Sequence, residues 1–106
     1  MGLFSLFKRS FSLKELGSFN KKVLMDCMDL VINSGIGDQY LEVFEAIRAG
    51  KVKKSQLKEC QEFARWYKER MTARPELAKA VEGSDYKSIL QALDDVDSFV
   101  KKKLGK

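Results

Sequence analysis

Apolar residues recur every third or fourth position through most of this chain, and nowhere does apolar–polar alternation last long enough to specify a strand. A repeat between three and four is the repeat of the α-helix, so the pattern restricts the chain to helical folds before any other property is considered. Tyr86, Ile89, Leu93, Val96 and Val100 form one stripe, Leu57, Cys60, Ala64, Tyr67 and Met71 a second, and Tyr40, Leu41, Phe44 and Ile47 a third. Leu16, Phe19, Val23, Cys27, Leu30 and Val31 form a fourth. Met25, Met28 and Ile32 widen it until only a narrow polar strip of Glu15, Lys22, Asp26, Asp29 and Asn33 is left. A helix that is apolar around most of its circumference must be covered on most sides, which predicts a central position or a subunit interface on part of this surface.

Local start and stop signals set the boundaries. Ser12-Leu13-Lys14-Glu15 has the capping-box pattern, so a first helix is expected over about 13–33, stopping at Gly35. Asp38 caps a second over about 39–49, closed by Gly50, and Ser55 caps a third over about 56–72. Pro75 ends the third, because the residue before a proline is pushed out of the helical region, and itself opens a short fourth to about residue 82. Gly83-Ser84 ends that segment, and Ser84 or Asp85 caps a fifth running to about residue 103. Short connections favour antiparallel neighbours. The expectation is an all-α fold: a compact bundle of four main helices plus one short helix, with a single helical domain over 12–106 and an apolar N-terminal arm over 1–11. The 106 residues suit one domain, and a chain of this length buries roughly 65% of its unfolded surface without needing a staple.

Composition narrows the chemistry. There is no histidine, which removes the side chain most used for acid–base work near neutral pH and the usual partner of a nucleophilic serine or cysteine. Cys27 and Cys60 are too few for a tetrahedral zinc site, and both fall on apolar helix stripes, where a cysteine acts as a small hydrophobe. Buried thiols in a reducing compartment are expected, with a disulfide between their helices as the alternative. Asp94, Asp95 and Asp97 point in different directions on a helix rather than converging, and Asp97, near the apolar stripe, is expected to pair with Arg65 or Lys68. Gly35-Ile36-Gly37-Asp38 lacks the lysine of a phosphate-binding loop and reads as a tight interhelical turn. Neither a catalytic site, a metal site nor a cofactor is expected. No apolar run has the ~18 residues of a membrane span. The start of the sequence lacks the pattern of a secretory leader, so a cytoplasmic location, of the cell or of an infected host, is expected.

The charge is lopsided. Residues 48–74 hold nine Lys/Arg and three acids, a local charge of +6 against +5 for the whole chain, while residues 76–97 hold six acids and two lysines. Arg48, Lys51, Lys53 and Lys54 surround the turn before the third helix, and Lys58, Arg65, Lys68 and Arg74 follow along it. Such a row neutralises phosphates and releases counterions, which makes nucleic-acid binding one candidate function. A helix-turn-helix is a poor match, since the connection over 50–55 is about six residues, longer than the usual three or four.

Two further features call for cover. On an ideal helix Trp66 lies about 130° from the middle of the stripe containing Tyr67, so one packed face does not bury both. Phe63 and Arg70 flank it, and tryptophan with arginine is enriched at interface hot spots. The arm carries Leu3, Phe4, Leu6, Phe7 and Phe11, with Lys8 and Arg9 behind the first four. Such a segment docks on its own core, on a second subunit or in a partner's groove, or it enters a membrane interface with its cations at anionic headgroups.

The reading that takes most of this in is a non-enzymatic protein-interaction module. It would be dimeric or bind another protein, modulate a larger macromolecular machine, and use Trp66, Phe63, Arg70, Phe4 and Phe7. Its size and charge also suit a small viral, phage or plasmid accessory protein. Nucleic-acid binding through 48–74 and peripheral membrane attachment through 1–11 are the alternatives.

Overall fold

The computed structural model describes residues 11–105. Four α-helices run through them: α1 (Ser18–Asn33), α2 (Leu41–Ala49), α3 (Lys54–Ala73) and α4 (Tyr86–Lys103). Short 3-10 segments at Leu13–Leu16, Asp38–Tyr40 and Pro75–Ala80 connect or precede them. The expected all-α bundle of four main helices and one short one is the architecture formed.

The differences lie at the helix starts. Ser12 does cap, its Oγ accepting the Lys14 N–H at 3.3 Å. Glu15 does not reach back to complete the box; its carboxylate accepts instead from Lys103 Nζ at 2.9 Å. The expected continuous first helix is broken at Gly17, whose φ of 91° and ψ of 151° fall in a region that glycine alone occupies readily. α3 begins two residues before the expected start. Ser55 lies inside its first turn, and the end is tied by Gln56 Oε1, which accepts the Lys53 N–H at 2.9 Å. Asp85 caps α4 by accepting the Ser88 N–H at 2.7 Å.

α3 and α4 share the most extensive contact, and α1 packs along α4 while also meeting α2 and α3. α1 is therefore the central element, as its wide apolar surface implied, with Val23, Leu24, Cys27 and Met28 sealed in the core. Its covered arc is centred on those four, so Phe19 and Leu30, expected in the core stripe, remain exposed. In α2 the register shifts likewise: Val43 and Ile47 are buried, Tyr40 and Phe44 half-buried, and Leu41 is exposed. The α3 stripe is buried as expected, with Phe63 added to it, and α4 buries Ile89, Ala92, Leu93, Val96 and Val100 while Tyr86 stays half-buried.

Two local contacts place the connections. Gly37 is pressed against the end of α1, where an added Cβ would stand 2.5 Å from Val31 Cγ1. Phe11 forms a two-residue antiparallel bridge with Val52: the Phe11 N–H donates to the Val52 carbonyl at 2.7 Å, and the Val52 N–H donates to the Phe11 carbonyl at 2.9 Å. Val52 is fully buried there, and Phe11 packs against the core.

Candidate docking cleft beside Trp66

Around the middle of α3, Phe63, Trp66, Tyr67 and Arg70 occupy two different environments. Phe63 and Tyr67 belong to the core-facing stripe and are sealed. Phe63 meets Tyr40 edge-on with centroids 4.9 Å apart and lies 5.7 Å from the Tyr67 ring. The Tyr67 hydroxyl donates to the Leu77 carbonyl at 2.7 Å, which holds the Pro75–Ala80 segment against the helix. Burial raises the Tyr67 phenol above its ordinary pKa, with neighbouring Cys27 adding to the shift.

Trp66 lies off that stripe and is only half-buried. Its ring rests 6.1 Å from Phe63 and 6.4 Å from Tyr67, so the core supports it from one side. The Arg70 guanidinium lies over it, 5.5 Å from the ring centre, within cation–π range. Beyond the indole is an open cleft of about 370 Å³ between the end of α1 and the end of α3. Leu30, Ser34 and Ile36 form one wall, Trp66 and Arg70 the other, and Arg74 and Leu77 close it. Of the four large hydrophobic side chains exposed among the described residues, two line this cleft: Leu30 at 37% and Ile36 at 64%. Two neighbouring apolar side chains opening on one concavity need an explanation that isolated ones do not.

The structure thus brings together Trp66 and Arg70 and separates them from Phe63. Phe63 is corrected from a contact residue to a buried support, because the covered arc of α3 is wide enough to take it in. Phe4 and Phe7 lie outside the described residues. The sequence reading missed Leu30, Ile36 and Leu77. Leu30 sits at a core spacing and was read as core. Ile36 did carry a signal, since an isoleucine between two glycines of a turn has no helical neighbours to pack on.

The basic row divides in two. Arg65 Nε meets Asp97 Oδ2 at 3.0 Å, and Lys68 pairs with Asp94, so the acidic side of α4 neutralises the middle of α3 as anticipated for Asp97. Arg65 makes this contact rather than one along its own helix to Glu69. Burial alone would raise the Asp97 pKa, but hydrogen bonds from Arg65 and from Gln61 (2.7 Å) outweigh it and hold the carboxyl below its ordinary range. Arg48 lies 3.6 Å from Glu45, and Arg74 lies 3.2 Å from Glu76. The other four cations of the row, Lys51, Lys53, Lys54 and Lys58, are exposed and have no carboxylate partner among the described residues. Among the described residues no cluster of His, Cys, Asp and Glu is placed to hold a metal ion. No helix among them is long and apolar enough to cross a membrane.

No protein-family model matches the chain, and no curated protein or solved structure matches it.

Proposed function

We propose that this chain is a non-enzymatic protein-interaction module, acting on a larger assembly by seating a segment of a partner protein in the Trp66 cleft. The observation that carries this is the concavity itself: exposed Leu30 and Ile36 face a half-buried tryptophan already propped from behind by Phe63 and Tyr67. A rigidly backed aromatic beside arginine is the arrangement that dominates binding energy at protein interfaces. The cleft is at the small end of the ~300–1,000 Å³ range of ligand sites, so it takes a few side chains of a peptide.

The charge at the rim selects the occupant. Arg70 has no carboxylate partner among the described residues, and Arg74 is engaged only by exposed Glu76. A segment with apolar side chains for the cleft and carboxylates for the two arginines satisfies both walls. Selection of random displayed peptides on the full chain tests this, with Ile36→Asp as the counter-target. The expected result is enrichment of acidic, apolar peptides that quench or shift Trp66 emission and fail on the variant. Peptides that bind wild type and Ile36→Asp alike would remove the cleft from the account. Light scattering covers the remaining occupant: a dimer that Ile36→Asp dissolves would put a second copy of this chain in the cleft instead.

A further inference from the structure

One wall of the Trp66 cleft does not belong to a long helix. Leu77 lies in the 3-10 segment Pro75–Ala80. Such a segment is held weakly by its own hydrogen bonds, whose geometry is poorer than that of an α-helix. It is fastened from inside the molecule instead. The hydroxyl of Tyr67, a side chain sealed from solvent, donates to the Leu77 carbonyl at 2.7 Å. The same hydroxyl reaches the Cys27 thiol of α1. The Tyr67 ring lies against Phe63 and Trp66 and forms part of the cleft floor. One buried phenol thus joins the three parts that bound the cleft: α1, α3 and the segment carrying Leu77. Phe63 fills the same layer of the core without a hydroxyl. What the Tyr67 oxygen adds to such a ring is the fastening of Leu77.

We infer that Tyr67 is a positioning residue of this cleft: its hydroxyl fixes the distance between Leu77 and Trp66, and with it the size of side chain that a partner protein can seat. Its role in docking rests on the reading of the cleft as a docking site. Without the donor, the part-buried Leu77 carbonyl loses a partner, and such a group is drawn toward water because leaving it unpaired costs more than a typical hydrogen bond contributes. Leu77 would move with its carbonyl, and the cleft would widen at its closed side. A wall already in place spares a ligand the cost of ordering it, so a loosened wall accepts more shapes and holds each less tightly.

Trp66 is the single tryptophan of the chain, so it reports on its own cleft. Acrylamide quenching of its emission is compared in the full chain for wild type, Tyr67→Phe, Leu77→Ala and the double variant. Val96→Ala controls for lost stability, since Val96 is buried in α4 and does not line the cleft. Tyr67→Phe removes one oxygen and keeps the ring, and circular dichroism checks that the helices remain. Quenching should rise in Tyr67→Phe and in Leu77→Ala, and the double variant should go no further than Leu77→Ala. Val96→Ala should unfold at a lower temperature with wild-type quenching. Peptides selected on wild type should bind Tyr67→Phe about tenfold more weakly. An analogue with a larger anchoring side chain, rejected by wild type, should be rejected less by the variant. Wild-type quenching in Tyr67→Phe overturns the inference, and so does a rise that adds to that of Leu77→Ala or that Val96→Ala reproduces. Equal peptide affinity and equal rejection of the analogue by wild type and Tyr67→Phe overturn it as well. If no peptide binds wild type, the docking reading fails and quenching alone decides whether Tyr67 sets the cleft, so either proposal can fail without the other.

Discussion

Cys27 and Cys60 show how little a residue's type says about its role until its surroundings are known. Both are free thiols sealed in the core, and burial pushes each up to about 12. At pH 8 such a thiol is ionised only about one part in ten thousand, and the thiolate is the reactive form. Ellman's reagent should therefore titrate neither cysteine in the native protein and both after unfolding in guanidinium; rapid reaction of either in the native state would contradict the burial described. The same contrast governs Ile36 and Phe63. Ile36→Asp alters an exposed side chain and should change stability by no more than about 0.5 kcal/mol. Its effect belongs to docking, which thermal unfolding read beside the peptide assay will separate.

Among the elements, the turn between α1 and α2 is fixed by close approach. Gly37→Ala would force its Cβ against Val31 Cγ1 and the main chain of Ile32, and should cost about 1–3 kcal/mol in chemical denaturation. Gly17→Ala should cost a similar ~1–3 kcal/mol for a different reason, since its dihedrals rather than its neighbours exclude a side chain. The α3–α4 seam should be sensitive to acid. Asp97 has a lowered pKa in the folded chain, so its contribution is present above the unfolded carboxyl value of about 4 and is lost as pH falls through the lower folded value. Thermal midpoints measured from about pH 5 downward should fall less steeply for Asp97→Asn than for wild type; parallel slopes would show that the seam does not depend on this group.

These elements also show what the sequence made legible. The α3 stripe Leu57–Cys60–Ala64–Tyr67–Met71 and the α4 positions Ile89, Leu93, Val96 and Val100 were readable because a helix with a single covered face repeats its apolar residues in phase with that face. α1 was readable as central but not in its detail. Once several neighbours contact a helix, spacing no longer says which apolar residue is left uncovered, and so Phe19 and Leu30 were misplaced. Trp66 was marked by its angle from the stripe. The opposite wall of the cleft was not marked by period, because Ile36 lies in a turn; its signal was instead an isoleucine flanked by Gly35 and Gly37 with no stripe to join.

At the scale of the whole molecule, the aromatic cluster on α3 links that helix to the Asp38–Tyr40 segment across the core. Phe63 touches Tyr40, Trp66 and Tyr67, and its truncation to alanine should cost about 3–5 kcal/mol. That is a large share of the ~5–15 kcal/mol available to a domain, and at about 4–8 °C per kcal/mol it should lower the midpoint by more than 10 °C. Differential scanning calorimetry measures it, and a drop of only a few degrees would mean that the aromatic cluster relaxes to fill the void.

The packing of α1 along α4, with Glu15 clasped to Lys103 and Asn20 to Asp95, has a consequence for how the protein is made. Of the four described α-helices, the first to be synthesised is completed by the last. Until α4 has emerged, Val23, Leu24, Cys27 and Met28 lack a large part of their cover, so the nascent chain carries an incompletely sheltered α1 while α2, α3 and α4 are made. Holding factors that engage such segments should be engaged by this one until the last turns of α4 arrive.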